Sequence, residues 1–123
     1  MPSPSTGPSI IPGESSTDYV IDVEAIEAVA REHSDNKHII RRDDLKMGLI
    51  SVRPHDALPV HTHDHEDQLY YVLEGEGTIR MNDQEFKLGP GKAVTIPPGV
   101  AHGVRNESDR PLRYLDIFIQ WKR

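Results

Sequence analysis

His61 and His63 stand two residues apart, and a third histidine, His102, lies far downstream. On an extended chain, residues i and i+2 point to the same side, so the first pair presents two imidazoles on one face. His102 falls in a later stretch in which Val100 and Val104 share its direction. Three imidazoles converging from two strands make a metal site in search of a fourth oxygen or nitrogen ligand. The chain contains no cysteine, which excludes disulfides and thiolate ligands and leaves any metal to nitrogen and oxygen.

The elements that must position these side chains follow from the hydrophobic period. From Met47 onward the period is two: Met47, Leu49 and Ser51 alternate with Gly48, Ile50 and Val52. Leu69–Leu73 is a continuous apolar run bounded by Gly75 and Gly77. Thr78–Met81 and Gln84–Leu88 flank Asn82-Asp83, a two-residue hairpin signal. Ala93–Ile96 is a strand stopped by Pro97, Pro98 and Gly99, and Val100–Val104 and Leu112–Gln120 complete the set. Short strands separated by turn chemistry predict an antiparallel sandwich or barrel.

Upstream the pattern differs. Asp22–Glu32 has helical spacing, with Val23, Ile26 and Val29 on one face and Asp22 as its N-cap. It is expected to pack against the outside of the domain. The Pro-, Ser- and Gly-rich start is read as a flexible arm or, through Ile10 and Ile11, as a strand lent to a partner subunit. The expected organisation is an arm over residues 1–17, a helix and lead-in over 18–40, and a barrel over 41–123.

At 123 residues the chain forms one domain with a tail, large enough for a real core. Its net charge is -6 and its basic residues are scattered, which argues against nucleic acid as a partner. No apolar run approaches a membrane span, and no basic-then-apolar leader opens the sequence, so the expectation is a cytoplasmic protein with no membrane partner.

Two motifs in order carry a resemblance. His61-x-His63 is followed by four residues, Gln68, six residues and Gly75. Gly91 is followed by five residues, Pro97-x-Gly99, two residues, His102, three residues and Asn106. Together they resemble the paired motifs of the cupin superfamily. The resemblance implies an all-β double-stranded β-helix, or jelly-roll barrel, with one divalent metal inside and often a homodimer. It implies His61, His63, Gln68 and His102 as the metal set. Gln68 stands where the family usually has a carboxylate. An amide oxygen brings no charge, so the cation would keep its full formal charge of two. That suits Lewis-acid work on an anionic substrate. Asp67 or Glu66 is the alternative ligand, but Asp67 misfits the distance to Gly75, whereas Gln68 shares parity with Tyr70 and Val72. His65 is read as a turn residue, and His33, His38 and His55 as surface or packing residues.

The last strand adds a second clue. Leu115, Ile117 and Ile119 share one face, and Tyr114, Asp116, Phe118 and Gln120 the other. That second face is either an exposed edge or the wall of a site. Facing inward, Asp116 would act as a general acid/base and Phe118 would wall the pocket, with Tyr70 beside it as a substrate contact. Gln68 in the ligand set followed by Asp116-x-Phe118 is similar to the small pectin-degradation cupins, which convert unsaturated uronates to linear keto-sugars. The expectation is a metal-dependent lyase, isomerase or tautomerase acting on a small anionic sugar acid or keto acid. An Fe(II) dioxygenase and a non-enzymatic ligand-binding cupin are the alternatives. The donor set suits Ni, Zn, Fe, Mn or Cu.

Overall fold

The computed structural model describes residues 19–27 and 34–120. A single helical turn, α1 (Val23–Glu27), precedes nine strands. These are β1 (Asp35–Arg41), β2 (Leu45–Val52), β3 (Asp56–Ala57), β4 (Glu66–Glu74), β5 (Gly77–Met81), β6 (Gln84–Leu88), β7 (Ala93–Ile96), β8 (His102–Asn106) and β9 (Leu112–Gln120). Asp22 caps α1 as expected, accepting a hydrogen bond from the Ala25 N–H at 3.3 Å. The second half of the expected helix, residues 28–32, and the expected arm lie outside the described residues. Strand β1 occupies much of the segment read as lead-in.

The strands form two antiparallel sheets, in the order β1-β2-β9-β4-β7 and β3-β8-β5-β6. This is the predicted all-β jelly-roll barrel. Period-two patterning fixes which face turns inward. Register pairs Tyr114 with Ile50 and Val72, Asp116 with Gly48 and Tyr70, and Phe118 with Lys46 and Gln68. Residues directly opposite in an antiparallel pair share a face. The core therefore joins Ile50, Val52, Tyr70, Val72, Ile96, Leu112 and Tyr114 of one sheet to Ile79, Leu88 and Val104 across the gap. Burying such side chains contributes roughly 1.5–3 kcal/mol each. Strand β9 is central, not an edge, so its Asp116 face looks into the barrel.

Turn chemistry sets the ends. Asn82 takes a positive φ of 54° in the predicted β5–β6 hairpin. In Pro97-Pro98-Gly99-Val100 the Val100 N–H reaches the Pro97 carbonyl at 3.3 Å, and Gly99 has φ 85°. That is the signature of a type II turn, whose third residue needs positive φ. The turn consumes Val100, so β8 starts at His102, where pairing with Met81 begins, rather than at Val100 as the sequence suggested. No described helix is long and apolar enough to cross a membrane.

Candidate metal centre

His61 and His102 are brought together by backbone pairing. Leu58 donates to the Val104 carbonyl at 2.8 Å, and His61 and His102 then exchange both N–H···O bonds at 2.9 Å. The segment after β3 thus runs antiparallel along β8 as far as His61. His63 is held from the other motif: the Gly99 N–H donates to its carbonyl at 2.7 Å. The Pro-x-Gly turn therefore both launches β8 and pins the His-x-His segment.

The three rings cluster, with centroids 4.4 Å apart for His61–His102, 4.8 Å for His61–His63 and 5.5 Å for His63–His102. One candidate donor atom from each lies within 4.8 Å of the others. Two of the tautomers are set from behind. Nδ1 of His61 faces the Pro59 carbonyl at 2.9 Å, and Nδ1 of His102 faces the Val100 carbonyl at 3.0 Å. A carbonyl only accepts, so each Nδ1 carries the proton and each Nε2 presents its lone pair. Burial, with a further contribution from the neighbouring imidazoles, pushes the pKa of His63 and of His102 below the ordinary histidine value. Neutral rings at neutral pH are what metal ligation needs.

Three buried atoms of the candidate ligands have no hydrogen-bond partner: His63 Nε2, His102 Nε2 and Gln68 Oε1. Gln68 Oε1 is an acceptor, His102 Nε2 presents a lone pair in the tautomer set above, and His63 Nε2 does so with its proton on Nδ1, the side of Glu66. A buried polar atom left unpaired costs about 1–3 kcal/mol. A shared cation would satisfy all three, so the residues fit a metal. Gln68 is buried on β4, at the parity of Tyr70 and Val72. Its Nε2 donates to Asp116 Oδ1 at 2.7 Å and lies 3.4 Å from the Tyr70 hydroxyl. Among the described residues, no carboxylate joins the histidine cluster. Glu66 instead sits between His63 Nδ1, at 4.0 Å, and Lys46 Nζ, at 3.8 Å. His65 and His38 are exposed, and His55 is exposed and bound to Asp109 at 2.8 Å; His33 lies outside the described residues.

A cavity of about 550 Å³ opens beside the histidines. Its wall includes His61, His63, Tyr70, Asp116 and Phe118, all singled out from the sequence. The Phe118 ring stands edge-on to His63 with centroids 4.9 Å apart. Asp116 is 6% exposed. Burial pushes its pKa up to about 6, against the opposing effect of the Gln68 hydrogen bond. Tyr70 is raised well above the ordinary phenol value, by burial first and the Asp116 charge second.

Tyr114, on the face predicted to carry Asp116 and Phe118, also lines the cavity, and its ring packs against Tyr70 with centroids 4.5 Å apart. Two residues escaped the sequence reading. Lys46 stands opposite Phe118 and Arg41 opposite Lys46, so both cations spring from the sheet face that carries Gln68. The signal was present: Lys46 shares parity with Gly48, Ile50 and Val52.

With this geometry in hand, comparison with known proteins assigns the class. The chain matches the Cupin domain family over residues 48–118 and belongs to it. Its structure is similar to the crystal structure of TT1209 from Thermus thermophilus, with 31% identity and a TM-score of 0.76 over 84% of this chain and 98% of that one. An uncharacterized protein of Methanocaldococcus jannaschii, MJ1618, is 32% identical over 56 residues, 46% of this chain and 45% of that protein. The chain therefore spans less than half the length of that relative. An oxalate-binding protein of Thermotoga maritima is 24% identical over 98 residues, 80% of this chain and 76% of that protein.

Proposed function

We propose that this cupin is a metal-dependent lyase, isomerase or tautomerase acting on a small carboxylated sugar or keto acid. The observation that carries the proposal is Asp116: a buried carboxyl on the same cavity wall as His61 and His63. In this reading His61, His63, His102 and Gln68 hold one divalent cation. That cation supplies Lewis acidity toward a carbonyl or carboxylate oxygen.

The remaining work falls to side chains. Asp116, its pKa pushed up to about 6 by burial, takes a proton from carbon or oxygen and returns it without leaving the cavity. Phe118 and Tyr70 give the ligand an apolar wall and keep water from the face beside His63. Lys46 and Arg41 draw an anion toward the same face by charge. Gln68 in the ligand set, with the Asp116-x-Phe118 pair, supports an unsaturated uronate as the first substrate to try.

The test is an assay of protein loaded in turn with nickel, zinc and manganese against unsaturated uronates. Loss of the conjugated enol-carboxylate absorbance is the readout. Turnover is expected with metal and absent after chelation. At saturating metal, Asp116→Asn is expected to lower kcat by a factor of about 10²–10⁴. Undiminished kcat in that variant removes Asp116 as the proton carrier.

A second reading is a non-enzymatic binding module for a small dicarboxylate. The likeness to an oxalate-binding protein across most of both chains supports it. Stoichiometric binding of oxalate with no product from any uronate or keto acid would decide for this reading.

A further inference from the structure

The contact between Gln68 and Asp116 has a chemical direction. A carboxylate offers only acceptors to an amide, so Asp116 selects the nitrogen end of the Gln68 side chain. It does so at 2.7 Å, and the Tyr70 hydroxyl stands 3.4 Å from the same nitrogen. The amide is planar, and committing Nε2 to one side turns Oε1 to the other. That oxygen is buried and without a partner, as are Nε2 of His63 and Nε2 of His102. Gln68 shares a cross-strand row with Phe118, whose ring abuts His63, so its side chain springs from the sheet face that borders the histidine cluster. Asp116 sits 48 residues from Gln68 in the chain and reaches it only because β4 and β9 are neighbours.

We infer that Asp116 is a positioning residue for the fourth ligand: it locks the Gln68 amide with Oε1 toward the three imidazoles and lends that neutral donor negative charge through the hydrogen bond. A carboxylate one bond removed from the cation thereby does part of what a carboxylate ligand does in direct contact. The inference rests on the metal reading above and goes beyond it, because it assigns Asp116 a role in holding the cation as well as in moving protons. Supporting partners of this kind typically change metal affinity about 10- to 100-fold when lost. An asparagine in place of Asp116 can offer Gln68 either an acceptor or a donor, so it cannot enforce the amide's orientation.

Cobalt(II) is a suitable probe, since its visible bands report the ligand set and chelator competition gives its affinity. The expected results are one cobalt per wild-type chain, about 10- to 100-fold weaker binding by Asp116→Asn, and altered visible bands at saturating cobalt. The double variant Gln68→Glu/Asp116→Asn exchanges carboxylate and amide between the two positions. It is expected to recover the affinity lost in Asp116→Asn, because the amide introduced on β9 can donate to the carboxylate ligand introduced on β4. Affinity and spectrum unchanged in Asp116→Asn would overturn the inference while leaving the metal reading intact. A double variant binding cobalt more than about tenfold below wild type would also overturn it, and this arm holds even if Asp116→Asn alone does not fold. A wild-type chain that takes up no cobalt overturns the metal reading first, and this inference with it.

Discussion

His61 and His102 are locked backbone to backbone, each N–H donating to the other's carbonyl at 2.9 Å. A pair held this way cannot be drawn apart by loop motion without breaking both bonds. The loop that carries His61 is bound to β8 through the same rungs that extend from β3, so the site is organised by sheet pairing before any cation arrives.

Gly103 sits under this loop. A Cβ there would lie 2.8 Å from Val60 Cγ2, 3.3 Å from Val60 Cα and 3.4 Å from the Leu58 carbonyl oxygen. Gly103→Ala should push the segment from Leu58 to His61 off β8 and separate His61 from His102. The expected outcome is about tenfold weaker metal binding, with a stability loss of about 1–3 kcal/mol. Chelator competition and urea unfolding measure the two effects. Unchanged metal affinity would show that the rungs do not hold His61 in place.

Asn106 closes the second cupin motif, yet its work is structural. Its Nδ2 donates to the Val52 carbonyl at 3.0 Å and the Arg110 carbonyl at 2.7 Å, while Oδ1 accepts from the Ser108 N–H at 3.0 Å and the Ser108 hydroxyl at 2.7 Å. Asn106→Ala leaves these groups unmatched in a buried place and should cost about 2–4 kcal/mol. The folded fraction should still bind metal with wild-type affinity. Unfolding curves and metal titration of the same preparation separate the outcomes.

Asp116 gives the metal-free protein an unusual pH response. Its carboxyl has pKa 3.8 when exposed and about 6 in the fold. Between those values the folded state binds the extra proton, so this group's contribution to stability falls as pH rises from about 4 to about 6 and stays low above. About two pKa units correspond to roughly 3 kcal/mol. Asp116→Asn removes that penalty. Its stability advantage over wild type, measured by urea unfolding without metal, should grow across this window. A difference that stays constant from about pH 4 to about pH 7 would show that the carboxyl is not strained by burial.

Lys46 and Arg41 should act on encounter with an anionic ligand. Lys46→Met is expected to raise KM for a carboxylated substrate several-fold, leave kcat near wild type and weaken the salt dependence of kcat/KM. Steady-state kinetics at two ionic strengths check this. Lys46 also faces Glu66 at 3.8 Å, so Glu66→Gln should shift KM the other way.

The histidines, Gln68 and the Asp116 face were legible in the sequence because sheet periodicity is strict. Once Gln68, Tyr70 and Val72 face inward, the register with β9 turns Tyr114, Asp116 and Phe118 inward too. The open choice for the Asp116 face was settled by strand order, which no local pattern encodes: β9 lies between β2 and β4. The same gap hid Arg113. It shares parity with Leu115 and Ile117 on the outer face, yet it is fully buried, donating to Ser51 Oγ at 2.7 Å with Glu74 3.5 Å from its Nε. Lys46 went unnoticed because its neighbours are apolar. Its relation to Phe118 is a cross-strand one.

The central claim is that His61, His63, His102 and Gln68 grip one cation. Metal analysis of the purified chain beside His102→Ala, each reloaded after chelation and freed of excess by gel filtration, tests it most directly. The account predicts one divalent ion per wild-type chain, lost in the variant, with a metal-dependent rise in wild-type melting temperature that His102→Ala does not show. Equal metal content in the two proteins, or none in wild type after reloading, would contradict it.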